Sequence, residues 1–361
     1  MKYSTKISIE KNTIGKDKPV YFIADVAANH DGSLNRAKDL IHLAAESGAS
    51  AVKFQHFEAK QIVSDHGFKA LGSQQSHQSK WNKSVFEVYK DASVSKDWTK
   101  ELKQTCDKAG VTFFTSPYDF DLVDHINPYV PAYKIGSGDI SWLEMIAYIA
   151  KKQKPYILAT GASSIGDVEI AVAEGLKYNP QLCLMQCNTN YTASLENFKF
   201  INLHVLKTYS KMYPGLILGL SDHTPGHSTV LGSIALGAKM IEKHFTDDTS
   251  RNGPDHKFSM NPLTWREMID RSRELENALG SCLKKVEENE KETVVLQRRA
   301  IRVKTNLLKG NIILKKDLEV LRPCPEDAVS PNQISKIVGK QLKNNISKGD
   351  YIKWSDLGSA L

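Results

Sequence analysis

The chain has 361 residues, a formal net charge of +7 at pH 7 and a composition that is 41% hydrophobic and 25% charged. This length suits either one large domain with a small one or two ordinary domains, and the composition is that of a soluble globular protein. No run approaches the roughly 18 apolar residues of a membrane span, so we expect no membrane association. The five cysteines form no CxxC pair, from which we expect reduced thiols in a cytoplasmic protein. The basic runs lack interleaved aromatics, so we expect no nucleic-acid binding.

Short apolar runs rich in β-branched and aromatic residues alternate with amphipathic helical segments along most of the chain. Nearly continuous apolarity is typical of parallel strands that are covered on both faces. The predicted strands are residues 20–25, 51–55, 112–115, 132–135, 156–160, 182–187, 217–221 and 240–244. Helices fill the intervals, for example over 34–46 behind the cap-like Ser33. Eight such units predict a (β/α)₈ TIM barrel, although the order alone also permits a doubly wound open sheet.

Two segments depart from a minimal barrel. Residues 58–95 form a long connection rich in Gln, Ser and Lys, which is a candidate lid or interface loop. Beyond the charged segment 285–298, short apolar runs alternate with Gly and Pro turns, as in a small β-rich domain. We therefore divide the chain into a barrel over 1–284, a linker over 285–298 and a second domain over 299–361.

Two lysines, Lys53 and Lys134, stand inside apolar strands whose carboxyl ends would form the active-site rim of such a barrel. An unpaired ammonium group is costly there, so each lysine is expected to meet an anion. A phosphate group is favoured because hydroxyl donors stand at adjacent rim positions, and an ion pair with Asp25 or Glu242 is the alternative. The hydroxyl donors are Ser116, Ser137 and Ser221.

Two histidines, His223 and His244, end the seventh and eighth predicted strands. A single histidine in such a place is more often structural, but two at neighbouring strand ends could share one divalent metal. Few carboxylates and an open coordination sphere suit Mn²⁺ or a related cation, with zinc allowed by ligand type, and such an ion would polarise a carbonyl. Asp255 follows on a Gly-Pro turn, either as a site residue or as part of an ordinary loop.

Seven motifs in a fixed order extend along the barrel region. They are NHDGSL at 29–34, AVKFQ at 51–55, FFTSP at 113–117, PAYKIGSGD at 131–139, GLSDHT at 219–224, EKHFT at 242–246 and GPDHKFSMNP at 253–262. With them the chain resembles the N-acetylneuraminate synthase family, which makes sialic acids and related nonulosonic acids. The carboxyl-terminal module resembles the antifreeze-like (SAF) domain of these synthases, so the resemblance covers nearly the whole chain.

The resemblance implies that phosphoenolpyruvate condenses with the open-chain aldehyde of an N-acyl hexosamine to give a nine-carbon α-keto acid and phosphate. It also implies a domain-swapped homodimer and a divalent metal, with Mn²⁺ favoured over Mg²⁺ and Co²⁺. The implied catalytic residues are Asp25, His223 and His244, of which the two histidines hold the metal. The implied phosphoenolpyruvate contacts are Lys53, Ser116, Lys134, Ser137, Asn188, Thr189 and Ser221. The implied sugar contacts are Gln55, Asp139, Tyr191, Asp255 and the partner subunit's Arg322.

Three positions depart from the family pattern. Asp25 and Asp139 stand where glutamate is usual, and Ala159 stands where serine is common. Two carboxylates are therefore one methylene shorter, from which we predict an acceptor other than N-acetylmannosamine itself. Two other functions remain open from the sequence, namely a barrel aldolase or lyase that acts on a keto-sugar and a non-catalytic sugar-binding homologue.

Overall fold

The computed structural model describes residues 2–72, 78 and 81–360, which form two compact units. The first unit ends at Gly280 and the second begins at Ser281, just before the predicted barrel boundary at 284. The predicted linker over 285–298 lies in the second unit. Its main chain is tied there, since the Cys324 N–H donates a hydrogen bond to the Val295 carbonyl at 2.8 Å.

Eight parallel strands close into a barrel in the first unit, which confirms the predicted fold. After an antiparallel hairpin of β1 (Lys6–Ile9) and β2 (Asn12–Gly15), the barrel strands are β3 (Tyr21–Asp25), β4 (Ala51–His56), β5 (Thr112–Pro117), β6 (Tyr133–Ile135), β7 (Tyr156–Ala159), β8 (Leu182–Cys187), β9 (Ile217–Asp222) and β10 (Met240–His244). Strand β10 pairs with both β9 and β3. This closure excludes the doubly wound open sheet.

Helices cover the outside of the barrel and explain why its strands are apolar on both faces. They are α1 (Leu34–Glu46), α5 (Thr99–Ala109), α6 (Phe120–Ile126), α7 (Leu143–Lys151), α8 (Ile165–Leu176), α9 (Val205–Met212), α10 (Ser228–Ala235) and α11 (Pro262–Leu279), whereas the short helices α2 (Ala59–Ile62), α3 (Asp65–Ala70) and α4 (Val85–Ala92) belong to the connection after β4. Ser33 caps α1 as predicted, because its Oγ accepts a hydrogen bond from the Arg36 N–H. None of the helices in the described ranges is long and apolar enough to cross a bilayer.

The hairpin of β1 and β2 lies against the amino ends of the barrel strands and is absent from the predicted elements. Its side chains Ile7, Ile9 and Ile14 are buried in the barrel core. Glu10, at its turn, accepts a hydrogen bond from Thr112 at the start of β5. The amino-terminal end of the barrel is thereby covered, and the carboxyl ends of the strands remain for a site.

The connection over 58–95 contains helices α2, α3 and α4 within its described residues. Helix α4 starts with a capping box in which Ser84 and Glu87 bond each other's backbone N–H. On its inner side, the Tyr89 ring packs on Phe57 with ring centroids 5.4 Å apart. The connection is therefore held against the rim by a folded helix, and we call α2 to α4 the lid helices.

The second unit is built from short antiparallel pairs. Strand β11 (Ala300–Val303) pairs with β12 (Leu318–Leu321), and β13 (Lys340–Leu342) pairs with β14 (Leu357–Ala360). Helices α12 (Lys291–Gln297) and α13 (Ile334–Ile337) accompany them. This unit has its own core, formed in part by Ile301, Val303, Ile313, Val329, Ile337 and Ile352. The β-rich second domain is thus confirmed.

Candidate active site

The carboxyl ends of the barrel strands and the lid helices enclose a cavity of about 560 Å³. Most predicted site residues line it, namely Asp25, Lys53, Gln55, Ser116, Lys134, Ser137, Asp139, Thr189, Tyr191, Ser221, His223, His244 and Asp255. The structure does not bring Asn188 or Arg322 into this lining. The Asn188 side chain instead donates to the Phe200 carbonyl at 3.2 Å, and Arg322 belongs to the second unit, where its Nε donates to the Gln297 carbonyl.

The two strand lysines meet carboxylates of the protein itself. Lys53 Nζ lies 2.6 Å from Asp25 Oδ2 and 3.9 Å from Glu242 Oε1, and Lys134 Nζ lies 2.8 Å from that same Glu242 oxygen. Ser221 Oγ donates to it at 3.2 Å. The ion pairs considered as an alternative to phosphate binding are therefore present for both lysines. We call these five residues the lysine cluster.

Burial and charge act in opposite directions on the lysine cluster. Burial disfavours the ammonium of Lys53, but the nearby carboxylates, Asp25 first and then Glu242, together outweigh it and raise the pKa of Lys53. Burial also disfavours the ionised Asp25, but Lys53 and then His244 outweigh it and lower the pKa of Asp25. Both groups of this pair are therefore charged at neutral pH.

Glu242 joins the two lysines and was not among the predicted site residues. Its Oε1 carries the contacts with Lys134 and Ser221, whereas its Oε2 is buried and has no hydrogen-bond partner among the described residues. The sequence could have indicated Glu242 as a site residue, because Glu242 stands two residues before His244 on one strand and both side chains therefore face the same side. An unsatisfied carboxylate oxygen at the cavity is a position that a ligand can fill.

His223 is oriented by the backbone that follows β8. Its Nδ1 lies 2.8 Å from the Asn188 carbonyl oxygen, which can only accept, so Nδ1 carries a proton. Burial lowers the pKa of His223, but contact with the Cys187 thiol outweighs it and the net shift is upward. With its proton on Nδ1, His223 would offer Nε2 to a metal. Asn188 acts here through its main-chain carbonyl, and any residue at this position would provide the same group.

His244 stands beside His223, with ring centroids 5.3 Å apart. Its Nε2 lies 3.8 Å from Asp25 Oδ2, and its Nδ1 lies 3.8 Å from Asp255 Oδ2. Burial lowers the pKa of His244 to about 3, so the ring is neutral and keeps a free lone pair. Its Nδ1 is buried and has no hydrogen-bond partner among the described residues.

The composition of the lining fits a divalent cation at this His pair. Among the described lining residues, two lysines face four carboxyl groups, so full ionisation leaves two more negative than positive charges. A neutral imidazole with an unpartnered buried nitrogen is a ligand that such an ion prefers. No group of three or more His, Cys, Asp or Glu side chains is assembled for a metal in the described ranges. The two histidines would thus be an open ligand set completed by other oxygen atoms.

Another part of the cavity lining carries carboxyl groups of a different kind. Burial raises the pKa of Asp139 to about 6, and it raises the pKa of Asp255 to about 6 as well. Asp255 accepts a hydrogen bond from the Ala28 N–H at 3.1 Å. Tyr118 and Tyr191 complete what we call the acceptor wall, and the Tyr191 ring packs edge-on against His223 with centroids 4.4 Å apart.

Comparison with known proteins settles the family. The NeuB family model matches residues 40–284. The chain belongs to the NeuB family. The SAF domain model matches residues 298–358, in agreement with the β-rich second unit. The predicted resemblance and the TIM barrel with a SAF domain are both confirmed.

Relatives of this NeuB family member include synthases from bacteria and animals. It is 34% identical to the N,N'-diacetyllegionaminic acid synthase of Legionella pneumophila, over 95% of this chain and 96% of that protein. It is 29% identical to the human N-acetylneuraminate-9-phosphate synthase, over 94% and 93% respectively. The crystal structure of N-acetylneuraminic acid (sialic acid) synthetase from Leptospira borgpetersenii, in complex with citrate, matches 80% of this chain and 95% of its own. That match has a TM-score of 0.70 at 27% identity.

Proposed function

We propose that the protein is a nonulosonic acid synthase that acts on phosphoenolpyruvate and an open-chain N-acyl hexosamine. The methylene carbon of phosphoenolpyruvate would bond to the aldehyde carbon, whose oxygen takes a proton and becomes a hydroxyl. Water would add to the resulting oxocarbenium carbon, and the carbon to phosphate-oxygen bond would break to release phosphate. The observation that carries this proposal is one cavity in which two buried lysines stand next to a His pair.

The lysine cluster is the proposed site for phosphoenolpyruvate. Lys53 and Lys134 are both buried, and hydrogen bonds between a lysine and an anion are strong in such surroundings. Lys53 keeps its proton, which suits anion binding and disfavours the Schiff base of a lysine aldolase. Further donors for the carboxylate and phosphate groups would be Ser116, Ser137, Ser221 and Thr189, all of which line the cavity.

Asp25 is the proposed proton-transfer residue. Its Oδ2 accepts hydrogen bonds from Lys53 and from Gln55, at 2.6 Å and 3.0 Å, and its lowered pKa keeps it ionised, as a proton acceptor must be. Its position 3.8 Å from His244 Nε2 would let it take a proton from the attacking water. His223 and His244 would hold a divalent ion, Mn²⁺ or alternatively Mg²⁺ or Co²⁺, which when bound supplies Lewis-acid polarisation of the sugar aldehyde.

The acceptor wall is the proposed sugar site, with Asp139, Tyr191 and Asp255 as contacts, and Gln55 is a further proposed sugar contact beside Asp25. Because Asp25 and Asp139 are shorter than the glutamates usual in the family, we propose an acceptor that differs from N-acetylmannosamine. We further propose a domain-swapped homodimer in which the partner subunit's Arg322 reaches the sugar. The cysteines are all free, which favours a cytoplasmic location.

A phosphate-release assay tests this function. Metal-free protein would be incubated with phosphoenolpyruvate, one sugar from a panel of acylated hexosamines, and Mn²⁺, Mg²⁺ or Co²⁺. Release is expected only when phosphoenolpyruvate, sugar and metal are all present. A clear preference for N-acetylmannosamine would overturn the acceptor proposal. Pyruvate release from a nine-carbon keto acid, without phosphate release in the forward direction, would favour the aldolase instead.

A further inference from the structure

A buried ion pair stands on the outer face of the barrel directly behind the two histidines. Lys243 Nζ lies 2.5 Å from Asp222 Oδ2, and both side chains are only 1% exposed. The two residues are Cα partners across the β9 and β10 ladder. Neither belongs to the cavity lining, so substrate would not contact them. The outer face of a barrel strand normally packs apolar side chains under a helix, and burial of two charges there is unfavourable unless other contacts compensate.

The additional contacts of this pair all come from the segment that follows β9. Lys243 Nζ also donates to the Thr224 carbonyl at 2.6 Å. Asp222 Oδ2 accepts hydrogen bonds from Thr224 Oγ1 at 2.9 Å and from Thr229 Oγ1, on α10, at 2.7 Å. The polar atoms of the pair are therefore satisfied by residues that follow His223 in the chain.

Strand alternation connects this outer network with the cavity. Asp222 and Lys243 immediately precede His223 and His244, whose side chains line the cavity on the opposite face. His223 Nδ1 bonds the Asn188 carbonyl, and the His244 carbonyl accepts from the Met260 N–H. The paired register of β9 and β10 ends at Asp222 and Lys243, so the ion pair joins the two strands at their last paired position before the histidines.

We propose that the Asp222 and Lys243 pair is a positioning device for the His pair, which sets the two imidazoles at a separation that one divalent ion can bridge. This inference rests on the metal role in the proposed function. Outer groups that orient metal ligands commonly change metal affinity by about 10- to 100-fold when they are removed. If the pair served stability alone, its replacement by apolar side chains would leave metal affinity unchanged.

The deciding variant is D222L/K243M, which replaces both charges with apolar groups of similar size. Removal of Lys243 alone would leave the Asp222 carboxylate buried without its counter-charge, so the double variant is expected to keep its fold where the single one does not. Mn²⁺ binding to metal-free protein is measured by electron paramagnetic resonance of the unbound ion, with thermal unfolding in EDTA alongside. We expect an unchanged or higher melting temperature and a dissociation constant raised about 10- to 100-fold.

Two further variants keep the test decisive. V172A removes buried volume from α8, away from the cavity lining, and should lower the melting temperature without changing Mn²⁺ affinity. T229V removes one hydrogen bond from Asp222 and should weaken Mn²⁺ binding less than the double variant. Wild-type affinity in a folded D222L/K243M protein, or in T229V if the double variant does not fold, would overturn the positioning role. A wild-type protein that binds no Mn²⁺ would overturn the metal assignment itself, and the positioning role with it.

Discussion

The lysine cluster and the acceptor wall are two sides of one cavity that use carboxylates in opposite ways. In the cluster, the Asp25 and Glu242 carboxylates each lie within 2.8 Å of a lysine ammonium. On the wall, burial raises the pKa of Asp139 and of Asp255 to about 6, and the described residues provide no hydrogen bond to the Asp139 carboxyl. One side is therefore organised before any ligand arrives. The other side keeps polar groups whose hydrogen bonds a sugar would complete.

The His pair lies between these two sides, and its removal is expected to have the largest effect. H223A and H244A should each lower metal-dependent kcat/KM by about a thousandfold or more, because loss of Lewis-acid catalysis costs several kcal/mol. Phosphate release measures this loss. Circular dichroism should show an intact fold, because both residues lie at strand ends. Persistent metal-dependent turnover in either variant would discard the metal assignment.

Removal of one lysine ammonium group from the lysine cluster should lower the stability of the folded protein. K53M leaves the Asp25 carboxylate buried without a counter-charge and should destabilise the protein by about 3 to 5 kcal/mol in urea unfolding. The matched variant K53M/D25N removes both charges and should recover most of that stability without recovering activity. If K53M is as stable as the wild type, Lys53 and Asp25 do not stabilise the fold as a buried ion pair.

Arg322 tests whether the acceptor wall is completed by a second subunit. R322A should raise the KM for the sugar by about tenfold, corresponding to about 1.4 kcal/mol of lost binding, with little change in the KM for phosphoenolpyruvate. R299A, another exposed arginine of the second unit, is the control. Mixed R322A and H244A subunits should regain activity above that of either protein alone. An unaltered KM for sugar would remove Arg322 from the site.

Asp139 should show the cost of keeping an unpaired carboxyl on the wall. Its pKa of about 6 exceeds the ordinary value of 3.8, so the ionised form is disfavoured in the folded state. The penalty is absent below the unfolded pKa, grows as pH rises towards 6 and is constant above. D139N should therefore be more stable than the wild type at pH 8, by at most about 3 kcal/mol, and the gain should shrink towards pH 4.

Urea unfolding across this pH range measures the effect of D139N. The exposed Asp39 on α1 offers the control, since D39N should give no comparable pH-dependent gain. A D139N protein whose stability relative to the wild type does not vary with pH would contradict the raised pKa of Asp139.

The lid helices should give the smallest effect. S84A breaks the capping box of α4 and should destabilise that helix by about 1 kcal/mol, with a modest rise in the KM for sugar. Hydrogen exchange of α4 would measure the local loss. S164A breaks the capping box of α8, whose residues do not line the cavity, and should leave the KM for sugar unchanged. Equal KM changes in both variants would show that α4 does not affect sugar binding.

The barrel and most of the cavity could be predicted because buried parallel strands leave continuous apolar runs and their ends share one rim. The sequence offers an ion pair of these lysines with Asp25 or Glu242 only as an alternative, and it does not show that one Glu242 oxygen lies near both lysines. Lys53 and Lys134 are remote in sequence, and only closure of β10 onto β3 brings the three groups together. The Asn188 contact was missed because a main-chain carbonyl acts, and main-chain groups are the same in every residue. The metal, the acceptor and the individual residue roles stay predictions.

The amino-terminal hairpin has a consequence for the order of events in turnover. Because β1 and β2 cover the amino end of the barrel, ligands must arrive and leave from the side of the lid helices. The ligand of the lysine cluster, deeper among the strands, would then have to arrive before the sugar. Initial-rate kinetics should therefore show ordered binding, with phosphoenolpyruvate first and the sugar second. At high concentration the sugar should inhibit competitively with respect to phosphoenolpyruvate, because it then blocks the entrance.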